Sequence, residues 1–183
     1  MAEDLSKELV PEEVPGFKVG QKKTIEEYTN LDANDESLNK WKKSLGLNTG
    51  KPLPVAPGDK RTVIVISMAL NIKVFEKKEI KFKIKENSIY NLVIRFKIQH
   101  DIITGLRYLQ GVKKAGITVD RMDEPLGSYA PNTEDKPYYE KKFPDVEAPS
   151  GFLARGSYKA LSKFIDDDKT THLALPWSFQ ITK

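Results

Sequence analysis

The ten residues Tyr90 to Gln99 (YNLVIRFKIQ) put Tyr90, Leu92, Ile94, Phe96 and Ile98 on one side and leave the other side polar or mixed. A period of two is the signature of a strand with one buried face. The closing stretch His172 to Thr182 repeats it with bulkier groups, Leu173, Leu175, Trp177, Phe179 and Ile181, directly after the acidic turn Asp166, Asp167, Asp168. Thr62 to Met68 is rich in β-branched residues, and Lys81 to Lys85 (KFKIK) alternates charged with apolar side chains. Ile102 to Gln110, Ala115 to Val119, Phe152 to Tyr158 and Leu161 to Phe164 add further short candidates, with turn signals between them. So many short strands predict an all-β chain built as a β-sandwich. Pro176 lacks a ladder donor and is expected at an edge or a bulge.

The first 60 residues read differently. Residues 1 to about 22 are charged and broken by Pro11, Pro15, Gly16 and Gly20, so no packed element is expected there. Thr24 with Glu27 forms a capping-box pattern ahead of Ile25 and Tyr28, which predicts a helix start. Asp35 can cap a second helix through Leu45, with lysines 40, 42 and 43 toward its C-terminal end and Gly46 to stop it. Its apolar residues Leu38, Trp41 and Leu45 share one stripe. Asn48 to Gly58 holds three prolines and two glycines and reads as a linker. The expected organisation is a flexible, partly helical N-terminal arm over residues 1–60 and a sandwich over 61–183. A chain of 183 residues suits one domain of about 120 residues with such an appendage.

Composition excludes several functions. There is no cysteine, hence no disulfide, thiolate metal site or cysteine nucleophile. The formal charge of +4 is spread over 30 basic and 26 acidic side chains, so a uniformly basic face for nucleic acid is not expected. His100 and His172 show neither zinc-pair spacing nor a nucleophile with its base, and the glycines at 105, 111 and 116 make no phosphate loop. Asp166 to Asp168 does not open an EF-hand, because Trp177 stands where the bidentate glutamate belongs. These residues are read either as a solvated acidic turn or as a contact for a basic partner. The acidic start MAEDLSKELVPEE is unlike a secretory signal, and no apolar run reaches the roughly 18 residues of a spanning helix. The expectation is a cytoplasmic, non-enzymatic protein without cofactor or metal.

Five segments carry a family resemblance: Leu31 to Lys42 (LDANDESLNKWK), Ile102 to Gln110 (IITGLRYLQ), Leu126 to Pro131 (LGSYAP), Glu147 to Tyr158 (EAPSGFLARGSY) and Phe164 to Leu173 (FIDDDKTTHL). In this order they resemble the Rho GDP-dissociation inhibitors, over about Lys22 to Ile181. The resemblance implies an immunoglobulin-like sandwich preceded by a regulatory arm, acting one-to-one as a monomer on GDP-bound, geranylgeranylated Rho-family GTPases. It implies a block on GDP release and extraction of the GTPase from membranes, with transient membrane contact. Asp35, Leu38, Trp41, Asp167 and Asp168 match switch-contacting positions, and Asp35 can serve as helix cap at the same time. Leu70, Phe82, Tyr90, Phe96, Leu106, Leu153 and Trp177 match positions lining an isoprenyl pocket, although any sandwich core also needs such residues. Asp120, Asp123, Glu124 and Glu147 match an acidic rim for the basic tail of the GTPase. Two departures stand out: relatives carry a longer segment where this chain has only NIKVFEKKEI between Leu70 and Lys81, and Leu175-Pro176 stands where animal relatives have an aromatic and an acidic residue. The competing reading is a general carrier of prenylated proteins without GTPase inhibition.

Overall fold

The computed structural model describes residues 2–12, 15–16, 18–47, 51–70 and 81–183. Among these, helices α1 (Ala2–Glu8), α2 (Ile25–Asn30) and α3 (Glu36–Leu45) precede strands β1 (Val63–Leu70), β2 (Lys81–Lys85), β3 (Ile89–Tyr90), β4 (Leu92–Ile98) and β5 (Ile103–Lys114). Strands β6 (Ile117–Tyr129), β7 (Tyr139–Lys142), β8 (Val146–Glu147), β9 (Gly156–Ile165) and β10 (Thr171–Thr182) complete the order. The shortened segment at 71–80 and part of the proline-rich linker, at 48–50, lie outside the described residues.

Alternation along β4 does what its period requires: Leu92, Ile94, Phe96 and Ile98 are all buried. β4 lies between β1 and β7 in one sheet, and β2-β10-β9-β5-β6 forms the facing sheet. The pairings are antiparallel except β2 with β10, and β3 with β8 makes a separate short ribbon. The inner faces meet in an aromatic core. Phe96 packs against Tyr129 and Tyr139 at centroid distances of 5.0 and 5.8 Å, and Tyr108 lies 5.3 Å from both Phe143 and Phe164. This is the expected all-β sandwich. Pro176 sits where β10 is paired to β9 but not yet to β2, whose register starts at Ser178, so its missing N–H leaves no ladder bond unmade on that side.

The strand expectations shift in one region. Leu161 to Phe164 belongs to the same strand as Gly156 to Tyr158, while Phe152 to Arg155 forms a turn in which Ala154 and Arg155 both donate N–H bonds to the Gly151 carbonyl. Apolar content alone suggested strand; the local hydrogen bonds to Gly151 prevail. Ala115 and Gly116 form the tight turn between β5 and β6.

The start of the chain holds an element that composition did not predict. Leu5 and Leu9, one helical turn apart, are buried with Leu109, Leu161 and Ile165 on the outer face of the five-stranded sheet. Glu8 accepts from Lys113 Nζ at 2.7 Å and Thr118 Oγ1 at 3.0 Å, and Lys163 Nζ donates to the Leu9 carbonyl at 3.2 Å. Gly111 leaves the bare backbone on which these leucines rest, since a Cβ there would lie 2.9 Å from a Leu5 methyl and 3.2 Å from a Leu9 methyl. Gly111→Leu is therefore expected to lift α1 and raise trypsin cleavage after Lys7 about tenfold, as local opening becomes easier by ~1.4 kcal/mol. Unchanged cleavage at matched thermal midpoint would show that the helix does not depend on this glycine.

Both helices of the arm start as expected. Thr24 Oγ1 accepts from Glu27 N at 3.2 Å while Glu27 accepts from Thr24 N at 2.7 Å, a complete capping box. Asp35 Oδ1 caps α3 through Ser37 N at 2.8 Å and Leu38 N at 3.0 Å, and Gly46 ends it at φ 79°. The α3 stripe has a home within the chain. Leu45 and Leu47 are buried against Ile102 and Ala130 of the sandwich, with Ile25, Tyr28 and Trp41 packed on them.

Candidate functional site

The α2–α3 hairpin and the acidic turn occupy the same end of the sandwich. Asp166 is the anchor of that turn: its carboxylate accepts from Thr170 N at 2.9 Å and meets His172 Nε2 at 2.8 Å, with both side chains nearly buried. Burial alone would raise the Asp166 carboxyl, but the bonds from His172 and from the Thr170 and Asp168 backbone outweigh it and hold it below the usual carboxylate range. Asp167 behaves oppositely. Partial burial and the neighbouring charges of Asp166 and Asp168 push its carboxyl upward, against the opposing pull of Arg107.

A close approach fixes where Asp167 points. Its carboxylate lies over Gly105, at φ 55°, where a Cβ would fall 1.9–2.1 Å from the carboxylate atoms. Only glycine has both the left-handed freedom and the empty space needed here. A cavity of about 130 Å³ joins this turn to the arm, lined by Asp166, Asp167 and Asp168 on one side and Val19, Lys22 and Tyr28 on the other. Of the predicted switch-contacting residues, Asp167 and Asp168 line this cavity, while Asp35 caps α3 and half-buried Leu38 and Trp41 lie along it, Trp41 within the cluster that seats the hairpin on Ile102 and Ala130. Asp35 already serves as cap through one oxygen.

The expected isoprenyl positions fall into separate groups. Phe96 and Leu106 are fully buried in the main core, with Leu70 packed against it. Phe82 and Trp177 meet edge-on at 5.8 Å, and Trp177 also packs on Phe179. Tyr90 stands apart on β3, its phenol raised chiefly by burial and further by the charge of Asp120. Leu153 is not brought to any of them: it is 87% exposed in the β8–β9 turn. The expectation that it lines a pocket came from the family resemblance; here the turn leaves it in solvent.

The acidic rim is partly engaged within the chain. Asp123 pairs with Arg107 Nε at 2.8 Å and accepts from Glu12 N at 3.1 Å, and Glu124 pairs with Lys141 at 3.2 Å. Asp120 and Glu147 are exposed.

The family model described as RHO protein GDP dissociation inhibitor matches residues 2–183. The chain belongs to this family. The Rho GDP-dissociation inhibitor of Saccharomyces cerevisiae is 58% identical, with 91% of this chain and 90% of that protein covered. That of Schizosaccharomyces pombe is 39% identical over 92% of this chain and 87% of its own length. The human Rho GDP-dissociation inhibitor 1 is 35% identical over 91% of this chain and 85% of that protein. The family is one of regulatory inhibitors.

Two features of this Rho GDP-dissociation inhibitor family member escaped the sequence reading. Lys42, assigned there to the helix dipole, is buried; its Nζ donates to the Thr29 carbonyl at 3.1 Å and to that of Leu31, fastening α3 to the end of α2. Inside the sandwich, Ser162 Oγ accepts from Trp177 Nε1 at 2.9 Å and shares a 2.7 Å bond with Tyr108 OH, which also donates to Gln110. Burial pushes the Tyr108 phenol far above its ordinary value, so it stays a neutral donor. Neither side chain carries a local pattern that announces its partner; both bonds close over sequence separations of more than ten residues.

Proposed function

We propose that this protein is a non-enzymatic GDP-dissociation inhibitor of prenylated, GDP-bound Rho-family GTPases, working one-to-one with its arm on the GTPase switches and its sandwich around the lipid. The observation that carries this reading is the convergence of the capped α2–α3 hairpin and the Asp167–Asp168 carboxylates at one end of the sandwich. A preformed hairpin loses less entropy on binding than a disordered arm would. The carboxylates supply charge complementarity that steers encounter.

For the lipid, Phe96 and Leu106 are already packed, so room for an isoprenyl chain requires the two sheets to part. Burial at about 0.8 kcal/mol per CH2 supplies the driving force for that opening. Leu70, Phe82, Tyr90 and Trp177 remain the proposed lining residues with Phe96 and Leu106, while Asp120 and Glu147 are the rim carboxylates best placed for a basic tail. Mixing the protein with geranylgeranylated, GDP-loaded Rho on liposomes is expected to move the GTPase into the supernatant and slow GDP release. No transfer at micromolar protein overturns the reading.

A general lipid carrier would extract without controlling nucleotide. Removing residues 1–60 would expose Ile102 and Ala130, so a point substitution separates the two readings better. Asp35→Ala removes a cap worth about 1 kcal/mol and is expected to weaken GDP-release inhibition about fivefold while leaving binding of an isolated prenyl-cysteine peptide intact. Inhibition unchanged in this variant removes Asp35 from the switch contact, whereas extraction by the parent protein with no slowing of GDP release favours the carrier.

A further inference from the structure

The end of the sandwich opposite the α2–α3 hairpin presents an ordered apolar tip. Phe152 and Leu153 are 86% and 87% exposed, yet the turn that carries them is tightly held. Glu86 accepts from Arg155 Nε at 3.0 Å, Arg155 Nη2 at 2.8 Å and Gly151 N at 3.0 Å. Lys114 Nζ reaches the Leu153 carbonyl and, at 2.8 Å, that of Arg155, while Tyr158 OH donates to the Ala154 carbonyl. Flexible tips fold large apolar groups inward or leave them disordered; this one is braced with both groups in water.

Ile117 and Val119 lie beside the β5–β6 turn, next to Lys114, and Ile89 and Val146 lie on the β3–β8 ribbon; all four are exposed. Six of the eleven large apolar side chains exposed among the described residues are therefore at this end. Such clustering marks an interaction surface. Charge narrows the partner: Glu86, with Asp145 and Glu147 at the adjoining ribbon, stands beside Lys114, Arg155 and Lys183, so both signs are present and no single-sign field forms. Position narrows it further. β5 runs from Ile103, beside the α2–α3 hairpin, to Lys114, about 35 Å at 3.3 Å per residue, so the proposed GTPase-facing end is remote from this tip. Leu70 and Tyr90, proposed for the lipid pocket, end at the tip side through their pairings with Leu92 and Val146.

We propose that the Phe152–Leu153 turn, flanked by Ile117, is a membrane-insertion tip that dips into the bilayer interface beside the lipid pocket during extraction. This rests on the extraction reading above. Binding comes from apolar insertion, so it is insensitive to anionic lipid and to salt.

The test uses the full chain without GTPase and vesicles of phosphatidylcholine, alone or with 20% phosphatidylserine. Phe152→Trp, corrected for Trp41 and Trp177 with the parent protein, is expected to show quenching by brominated phosphatidylcholine. Phe152→Asp and, separately, Ile117→Asp are expected to lower vesicle partitioning at least fivefold on both compositions, at low and high salt alike, with unchanged thermal midpoints. Absent quenching, or equal partitioning of parent and both variants, overturns the proposal. Weakened binding of an unprenylated GTPase with intact vesicle binding also overturns it, by making the tip a protein interface. Prenyl-peptide binding is expected to persist in Phe152→Asp; a parent protein that binds vesicles but no prenyl peptide sinks the lipid-pocket reading and leaves the tip standing.

Discussion

Asp166→Ala is expected to lower the thermal midpoint by roughly 6–12 °C, the equivalent of about 3 kcal/mol for a domain of this size. The reason is geometric: removing the carboxylate strands His172 in a site where its side chain is 8% exposed and leaves Thr170 N without its acceptor. Asp166→Asn, which can keep an oxygen toward Thr170, is expected to lose less. The pH dependence has a definite sign. Because the folded Asp166 carboxyl lies below its usual range, its contribution is complete at neutral pH and disappears as pH falls through and below that range. Asp167, raised in the fold, opposes folding as it ionises, so it offsets part of the same acid limb. Subtracting the stability–pH curve of Asp166→Ala from that of the parent isolates the first effect, and a difference that stays constant between neutral pH and pH 3 would show that Asp166 is not held ionised by His172. The same substitution is expected to weaken GTPase binding, because the turn anchored by Asp166 positions Asp167 over Gly105.

Local patterns made much of this architecture legible. Thr24 with Glu27, and Asp35 with Gly46, announce helix ends because capping is satisfied within three or four residues. The alternation of Tyr90 to Ile98 identifies β4 because period two maps directly onto a half-buried strand. What sequence reasoning missed is closed by distant partners. α1 exists through two leucines resting on Gly111, more than 100 residues away, and no composition rule sees that surface. Lys42 looks like any cation in the last turn of a helix until the end of α2 arrives beneath it. Phe152 and Leu153 read as strand because apolar content was weighed without the Gly151 turn and the Glu86–Arg155 pair. For the candidate site, matching motifs single out the arm and the acidic turn, whereas the proposed lipid-facing set mixes residues of the closed core with residues at the margin, a distinction that needs packing rather than pattern.

Trp177→Ala is expected to weaken binding of a geranylgeranyl-cysteine peptide roughly 30-fold, about 2 kcal/mol, while costing a comparable amount of stability. The indole is placed for both roles. The indole meets Phe82 edge-on at 5.8 Å and lies tilted against Phe179 at 5.5 Å, and its Nε1 fastens to Ser162, which is fully buried with Tyr108. In the proposed opened state, the Phe82–Trp177 pair on β2 and β10 offers apolar surface to the lipid while the Ser162 bond keeps the ring from swinging into the opened space. Trp177→Phe separates the two contributions: it retains most of the apolar area but abandons the hydrogen bond, so affinity is expected to fall only a few-fold. Fluorescence anisotropy of the labelled peptide measures both, with circular dichroism confirming that each variant is folded at the assay temperature. Full affinity in a folded Trp177→Ala protein would place the isoprenyl chain away from β10, and the opening would then have to occur among Phe96, Leu106 and Leu70, where tight aromatic packing makes parting the sheets most costly.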